Sequence, residues 1–320
     1  MNQIKSNIIA KAFQIGLSDI KFTSSNVGEN TKINLQNWID SNYNAKMQYM
    51  ANNIDKRLNP SIILENCKSV IVCALNYFPG NHPPIKNGEK LVGKISRYAQ
   101  NIDYHFVLLD KIKLLAEYIQ QVIPDISTRS YVDTGHILEK YFAEKAGIGW
   151  QGKHSLIISP KFGSYIFLGV ILTDFAFEDD SPIWDKCGTC QRCIVACPTN
   201  AIVEPKVVDS NKCIAYWTVE AKPEEKVPDS IKNKNTEWLF GCDICQEVCP
   251  YNKVIKEKTY INEFLDESNF YQNLSEIMEL KPMEFNQKYK KSPIKRRKLS
   301  GLQINAFNLI ENFERTKESD

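Results

Sequence analysis

The stretch CGTCQRCIVACP, residues 187–198, sets four cysteines at the spacing C-x2-C-x2-C-x3-C and closes with Pro198. This is the bacterial ferredoxin run, in which three thiolates wrap one corner of a [4Fe–4S] cube and the fourth serves a second cluster. A chain built this way must supply a second partial set, and GCDICQEVCPYN at 241–252 does so with Cys242, Cys245 and Cys249. Cys213 lies between the two runs. The expected partition is Cys187, Cys190, Cys193 and Cys249 for one cluster, and Cys197, Cys213, Cys242 and Cys245 for the other. Structural zinc also accepts four thiolates, but zinc ribbons pair two short cysteine knuckles, and a triple run closed by C-P is not their pattern. Cys67 and Cys73 remain; Cys73 sits in the apolar run SVIVCAL, and both read as small core hydrophobes.

Two clusters move electrons one at a time, so bond chemistry must come from elsewhere in the chain. The first 180 residues alternate helical and extended patterns. Helices are expected near 2–15, over 103–123 with Tyr104, Leu108, Ile112, Leu115, Ile119 and Val122 on one face, and over 135–147 with Gly147 as cap. Strands are expected at 69–78, 129–133, 155–159 and 164–175. This is an α/β (α+β) pattern with a mixed sheet. It contains no P-loop and no GxGxxG, and GIGWQGKH at 147–154 lies between a helix and a strand, the wrong order for a dinucleotide turn. In 320 residues with 43% hydrophobic content and net charge +2, no apolar run is long enough to span a bilayer and no signal peptide is visible. A soluble, cytoplasmic protein with no membrane partner is the expectation, and in that compartment clustered cysteines read as ligands rather than disulfides.

Around the glycine-rich loop the sequence resembles a family. SRYAQNIDYHFVLLDKI (96–112), VDTGHILEKYFAEKAGIGWQGKHSLIIS (132–159), GSYIFLGVILTD (163–174), CIAYWTVE (213–220) and FGCDICQEVCPYN (240–252) together resemble the epoxyqueuosine reductases, from about Arg57 to about Asn305. The resemblance implies a cobalamin-dependent iron–sulfur enzyme that reduces epoxyqueuosine to queuosine at the wobble position of tRNA, fed by an external low-potential electron donor. It implies a nitroreductase-like cobalamin-binding catalytic domain over 1–180, a double [4Fe–4S] ferredoxin-type domain over 181–255, and a helical C-terminal segment over 256–320. It makes Asp133 the catalytic proton donor, and places cobalamin contacts at Arg57, Arg97, Asp133, Ile157, Leu168, Ala215, Cys242 and Asp243. A monomer is expected. Three departures stand out: the usual G-K-N-T reads Gly152-Lys153-His154-Ser155, Val170 replaces an acidic residue after F-L-G, and LQIN displaces an arginine before Asn305. Long family members continue into helical repeats where this chain stops.

Other readings compete at several positions. Asp133 ends a strand and precedes TGHILEKYF, so it is also a candidate helix N-cap. His105 lacks the glycine of a D-x-H-x-x-G loop, because Leu108 stands there, and reads as a packing or hydrogen-bonding residue. His82 reads as solvated; His136 and His154 flank the site. The run KYKKSPIKRRK at 288–298 holds seven Lys or Arg and no acid. It is either solvated surface or a grip on tRNA phosphates through Lys295, Arg296, Arg297 and Lys298, with Tyr216 or Trp217 stacking the splayed base. An amphipathic helix with Leu299, Leu302, Ala306, Leu309 and Phe313 in a stripe should follow. The alternative functions are a related corrinoid reductase of the dehalogenase kind, which usually carries a paired-arginine export signal, and a ferredoxin-type electron carrier, which needs neither Asp133 nor the basic run.

Overall fold

The computed structural model describes residues 2–80, 91–255, 257–266 and 268–319; His82 lies outside them. Its central sheet joins strands β1 (Asp19–Ser24), β2 (Ser69–Asn76), β4 (Thr128–Tyr131) and β5 (Ile166–Thr173) in the order β1-β2-β5-β4. Every pairing is antiparallel, with Ser69 opposite Thr173 and Asn76 opposite Ile166 at the two ends of the β2–β5 ladder. The expected mixed sheet is therefore corrected here. An apolar run such as SVIVCALN reports that both faces are covered, not which way its neighbours point.

All eight residues of β2 are buried, because helices lie on both sides of it. Ile71, Cys73 and Leu75 pack against helix α1 (Asn2–Gln14), through Ile8 and Ala12, and helix α2 (Tyr104–Val122), through Leu108, Ile112 and Leu115. Val70, Val72 and Ala74 meet Phe142, Ala143 and Ala146 of helix α3 (Glu139–Ala146). Each large side chain so buried contributes about 1.5–3 kcal/mol. Cys67 and Cys73 belong to these cores, as expected.

A second sheet is mixed. Strand β3 (Val92–Ile95) pairs parallel with β6 (Trp238–Phe240) and antiparallel with β7 (Tyr271–Asn273). One strand comes from each of the three segments expected as successive domains. Helix α4 (Lys298–Ser319) closes this side with Leu302, Ala306 and Leu309 buried against Leu239 and Leu274. No helix among the described residues is long and apolar enough to cross a membrane.

Candidate redox site

The eight cysteines from Cys187 to Cys249 fall into two groups. The Cys193 thiol is pushed up by burial and then by its neighbours Cys187 and Cys249, and Cys249 by burial and then by Cys187 and Cys190. Burial likewise raises Cys213, which also faces Cys197, and Cys242, which faces Cys245 and Cys213. Cys245 is raised by burial and then by Cys213, Asp243, Cys197 and Cys193, so it feels charges from both groups. The chain thus crosses over: Cys197 joins the later cysteines and Cys249 joins the earlier ones. Four mutually repelling thiols are stable as thiolates only when a cation compensates them, and that is the donor chemistry of an iron–sulfur site. Among the described residues no three His, Cys, Asp or Glu side chains stand close enough to hold a single metal ion.

Backbone contacts fix the ligand loops. Ala201 N–H donates to Cys197 Sγ at 3.2 Å, and Asp185 Oδ1 accepts from Cys187 N–H at 2.7 Å. Lys153, in the GWQGKH turn, donates to the carbonyls of Gly188 and Cys190 at 2.7 and 2.8 Å. That lysine ties the central-sheet half to the first cysteine loop; only its place in a glycine-rich turn hinted at it in the sequence.

Asp133 follows β4 in a left-handed backbone conformation, φ 55°. Asp tolerates this better than most residues, and such conformations persist where surroundings enforce them. Its backbone N–H donates to Glu139 Oε1 at 2.7 Å, and Tyr104 Oη donates to its Oδ2 at 3.0 Å. Helix α3 starts only at Glu139, with Leu138 at the cap position and no side-chain cap bond. The N-cap reading of Asp133 therefore falls. The capping aspartate is Asp103, whose Oδ1 accepts from His105 N–H at the start of α2. Its carboxylate also takes a bond from the His105 ring, Nδ1 to Oδ1 2.6 Å, while His105 Nε2 stands 3.7 Å from Asp133 Oδ2. Burial alone would raise the Asp103 carboxyl; the bonds from His105 outweigh it and hold it below its ordinary range. The Tyr104 hydroxyl is held well above its ordinary range by burial and then by Asp133, so it stays a donor. Burial, followed by the Asp133 charge, also raises Glu139.

Further charged groups wall this site. Arg57 is buried, donates to the Tyr49 carbonyl at 2.8 Å, and feels the charges of Asp133 and Glu139. Arg97 is buried over the Tyr165 ring and donates to Glu247 at 3.1 Å. Asp243, 1% exposed and directly after the ligand Cys242, accepts from Arg97 N–H at 2.7 Å and from the Ser96 hydroxyl. Gly241 makes that approach possible: its φ is 76°, and a Cβ there would lie 2.3 Å from Ser96 Cβ. Ile157 is buried, while Leu168, on β5, and Ala215, just before the turn Tyr216–Glu220, are half-buried.

The basic run does not behave as one surface. Arg297 is 2% exposed, its Nη2 donates to Asn305 Oδ1 at 3.1 Å, and burial pushes its guanidinium down to about 10. It is a core residue, and its assignment to phosphate is corrected on that ground. Asn305 in turn donates to the carbonyls of Thr218 and Leu239, stitching α4 to the cluster side. Arg296 bonds Glu220 at 2.6 Å and lies over the Tyr49 ring. Burial opposes its charge, but Glu220 outweighs it and holds the guanidinium above its ordinary range, with Tyr49 and Asp133 also within its reach. It belongs to the site wall. Lys295 and Lys298 are exposed. Trp217 and Tyr216 are buried with their polar atoms engaged, to Asn211 O and Glu225 Oε2, so neither is free to stack on a base. Tyr49, Glu220 and Glu139 went unread in the sequence; Tyr49 and Glu220 lie far from Asp133 in the chain and carry no local motif.

A mixed α+β fold with two four-cysteine groups beside a charged site defines a double-cluster iron–sulfur protein, and residues 186–252 match the family model described as 4Fe-4S double cluster binding domain. Residues 57–134 match the model described as Epoxyqueuosine reductase QueG, DUF1730. The chain is 40% identical over 310 residues to an epoxyqueuosine reductase of Leadbetterella byssophila, covering 95% of this chain and 98% of that one. It is 45% identical over 273 residues to one from Synechocystis, covering 85% and 92%. A crystal structure of an epoxyqueuosine reductase with an epoxyqueuosine-modified tRNA-Tyr stem loop superposes with TM-score 0.92 at 32% identity, covering 99% of this chain and 83% of that one. The chain belongs to the epoxyqueuosine reductase family and is an oxidoreductase.

Proposed function

We propose that this protein reduces epoxyqueuosine to queuosine at wobble position 34 of tRNA, with cobalamin as the reactive cofactor and two [4Fe–4S] clusters delivering electrons from an external low-potential donor. The reading takes it to act as a cytoplasmic monomer with a nitroreductase-like cobalamin-binding fold over residues 1–180. The single observation that carries it is the position of Asp133: a carboxyl oriented by Tyr104 Oη and by the Glu139–backbone bond, within electrostatic reach of Arg57 and Arg296.

The residues present fit cobalamin. Arg57 and Arg97 are buried, and the Nε–H of each has no hydrogen-bond partner among the described residues, so both can donate to the amide-rich rim of a corrin. Asp243, Cys242, Ala215, Ile157 and Leu168 complete the contact set that the family resemblance assigns, with Asp133 facing the substrate side. Bound there, cobalamin supplies a strong nucleophile or one-electron donor at carbon. The protein's own task is the proton. Converting an epoxide to an alkene releases water and takes two electrons and two protons. Asp133 donates to the oxygen as its C–O bond breaks, as a general acid. Cys187, Cys190, Cys193 and Cys249 hold the first cluster and Cys197, Cys213, Cys242 and Cys245 the second, whose ligand Cys242 adjoins Asp243 at the corrin side. Lys295 and Lys298 meet tRNA phosphates, while Arg296 is held by Glu220.

The test is anaerobic. Cobalamin-free protein with reconstituted clusters is given epoxyqueuosine-tRNA and a reductant, with and without added cobalamin, and the nucleosides are weighed by mass spectrometry. Queuosine should accumulate only with cobalamin. Equal conversion without it, or none with it, overturns the proposal.

A further inference from the structure

The stoichiometry of that reaction asks for more than Asp133 holds. Both protons end on the same atom: the first makes a hydroxyl as one C–O bond of the epoxide breaks, and the second releases water as the other breaks. A carboxyl carries one proton. After its first donation Asp133 is a carboxylate, and it must be protonated again before the second C–O bond can break.

We infer that His105 is the relay that returns this proton, with Asp103 as its positioning partner; the inference rests on the general-acid reading of Asp133. Asp103 Oδ1 lies 2.6 Å from His105 Nδ1 and fixes the ring so that Nε2 points at Asp133 Oδ2, 3.7 Å away. Catalytic hydrogen bonds are commonly this long before substrate binds. The ring is clamped by stacking on Tyr104, centroids 4.2 Å apart, and Tyr104 stacks in turn on Phe167 at 4.1 Å. The charged groups around the imidazole are Asp103 on its own helix turn, Asp133 from the loop after β4, and Arg296 from the C-terminal segment, which acts on Asp103. The two ring nitrogens thus face one carboxylate each, Nδ1 towards Asp103 and Nε2 towards Asp133. Imidazolium Nε2–H then transfers its proton to the Asp133 carboxylate, the Nδ1–H bond to Asp103 is kept, and the neutral ring is recharged from solvent.

The neighbours are poorer sources. Tyr104 donates to the same Asp133 oxygen, but its hydroxyl is held well above the ordinary range, so losing that proton is costly. Glu139 Oε1 is committed to the Asp133 backbone N–H. His136 lies against Asn53, 3.3 Å from its side-chain amide.

The experiment compares His105→Gln, His105→Ala, Asp103→Asn and Glu139→Gln with the parent in the holoenzyme, reading kcat, KM and the pH profile of queuosine formation. His105→Gln should lower kcat by about 10²-fold with little change in KM, and should flatten the limb of the pH profile that reports the relay. Added imidazole should restore turnover to His105→Ala and do nothing for Asp133→Asn. Asp103→Asn should lose less than His105→Gln, and Glu139→Gln less again. Near-parent turnover with an unchanged pH profile in His105→Gln, while Asp133→Asn is inactive, refutes the relay and leaves the acid reading standing. Lost turnover in His105→Ala that imidazole cannot restore, with the pH profile unchanged in shape, refutes it as well. Near-parent turnover in Asp133→Asn removes the acid itself, a separate failure.

Discussion

Asp133→Asn is the substitution in which structure and chemistry diverge most. The side chain is 64% exposed, caps no helix, and receives one hydrogen bond from Tyr104. Asn keeps an oxygen to accept that bond and tolerates the left-handed backbone at φ 55° as readily as Asp. Folding stability should therefore stay within about 0.5 kcal/mol of the parent. Removing the charge even relieves Glu139, whose carboxyl the Asp133 charge helps to raise. Asn has no carboxylic proton to give, so turnover should fall by about 10²–10⁴-fold, equivalent to about 2.7–5.5 kcal/mol in the barrier at about 1.36 kcal/mol per decade. Single-turnover formation of queuosine should be followed by mass spectrometry on protein whose iron content and melting temperature are measured from the same preparation. Turnover near the parent rate with both clusters intact would refute the reasoning. A matching loss of iron or several degrees of melting temperature would show that Asp133 holds the loop together instead.

Other outcomes follow from the same geometry. Cys213→Ala should leave about four of about eight irons per chain, because Cys213 serves the group with Cys197, Cys242 and Cys245 while the other four cysteines are untouched; a complete loss of iron would contradict the partition. Lys295→Ser with Lys298→Ser should weaken tRNA binding and reduce the slope of log K against log salt by about 1.5, whereas Arg297→Met, at a buried position, should leave the slope unchanged. Burial, with Lys140 adding to it, pushes the His154 imidazole from 6.5 down to about 4. Between those values the unfolded chain binds a proton that the folded chain does not, so stability is full above about pH 6.5 and falls on acidification, by about 2 kcal/mol at about pH 5. Denaturant midpoints of His154→Asn measured against pH should lack that fall.

What was legible in the sequence was whatever local spacing controls. The C-x2-C-x2-C-x3-C run and its shorter counterpart announced the double-cluster domain, because ligand loops are short and locally spaced. The α2 stripe and the Gly147 cap were legible for the same reason, as were the apolar strands. Sheet direction was not, since β2 is apolar on both faces whichever way β1 and β5 run. The 135–147 helix starts four residues later than expected because Glu139 is drawn to the Asp133 N–H. Arg297 shows the limit of reading charge from composition: four consecutive basic residues look alike in sequence, yet one points inward to Asn305 and another pairs with Glu220. The wall of Tyr49, Glu220 and Arg296 unites residues more than 170 positions apart, which periodicity cannot foresee.

The small sheet of β3, β6 and β7 also imposes an order in time. On a ribosome adding about 5–20 residues per second, β3 emerges roughly 10–35 s before β7 does. The central sheet is complete once Thr173 is out, so it can fold while β3 still waits with two bare edges. The segment that follows β3 carries Ser96 and Arg97, and their acceptor Asp243 arrives only with β6. Both thiol groups are completed only by Cys242, Cys245 and Cys249, which follow β6, and the wall residue Arg296 arrives later still. Iron delivered to a nascent chain would find the Cys187–Cys197 run before the partners that complete it, so cluster insertion belongs after Cys249 has emerged.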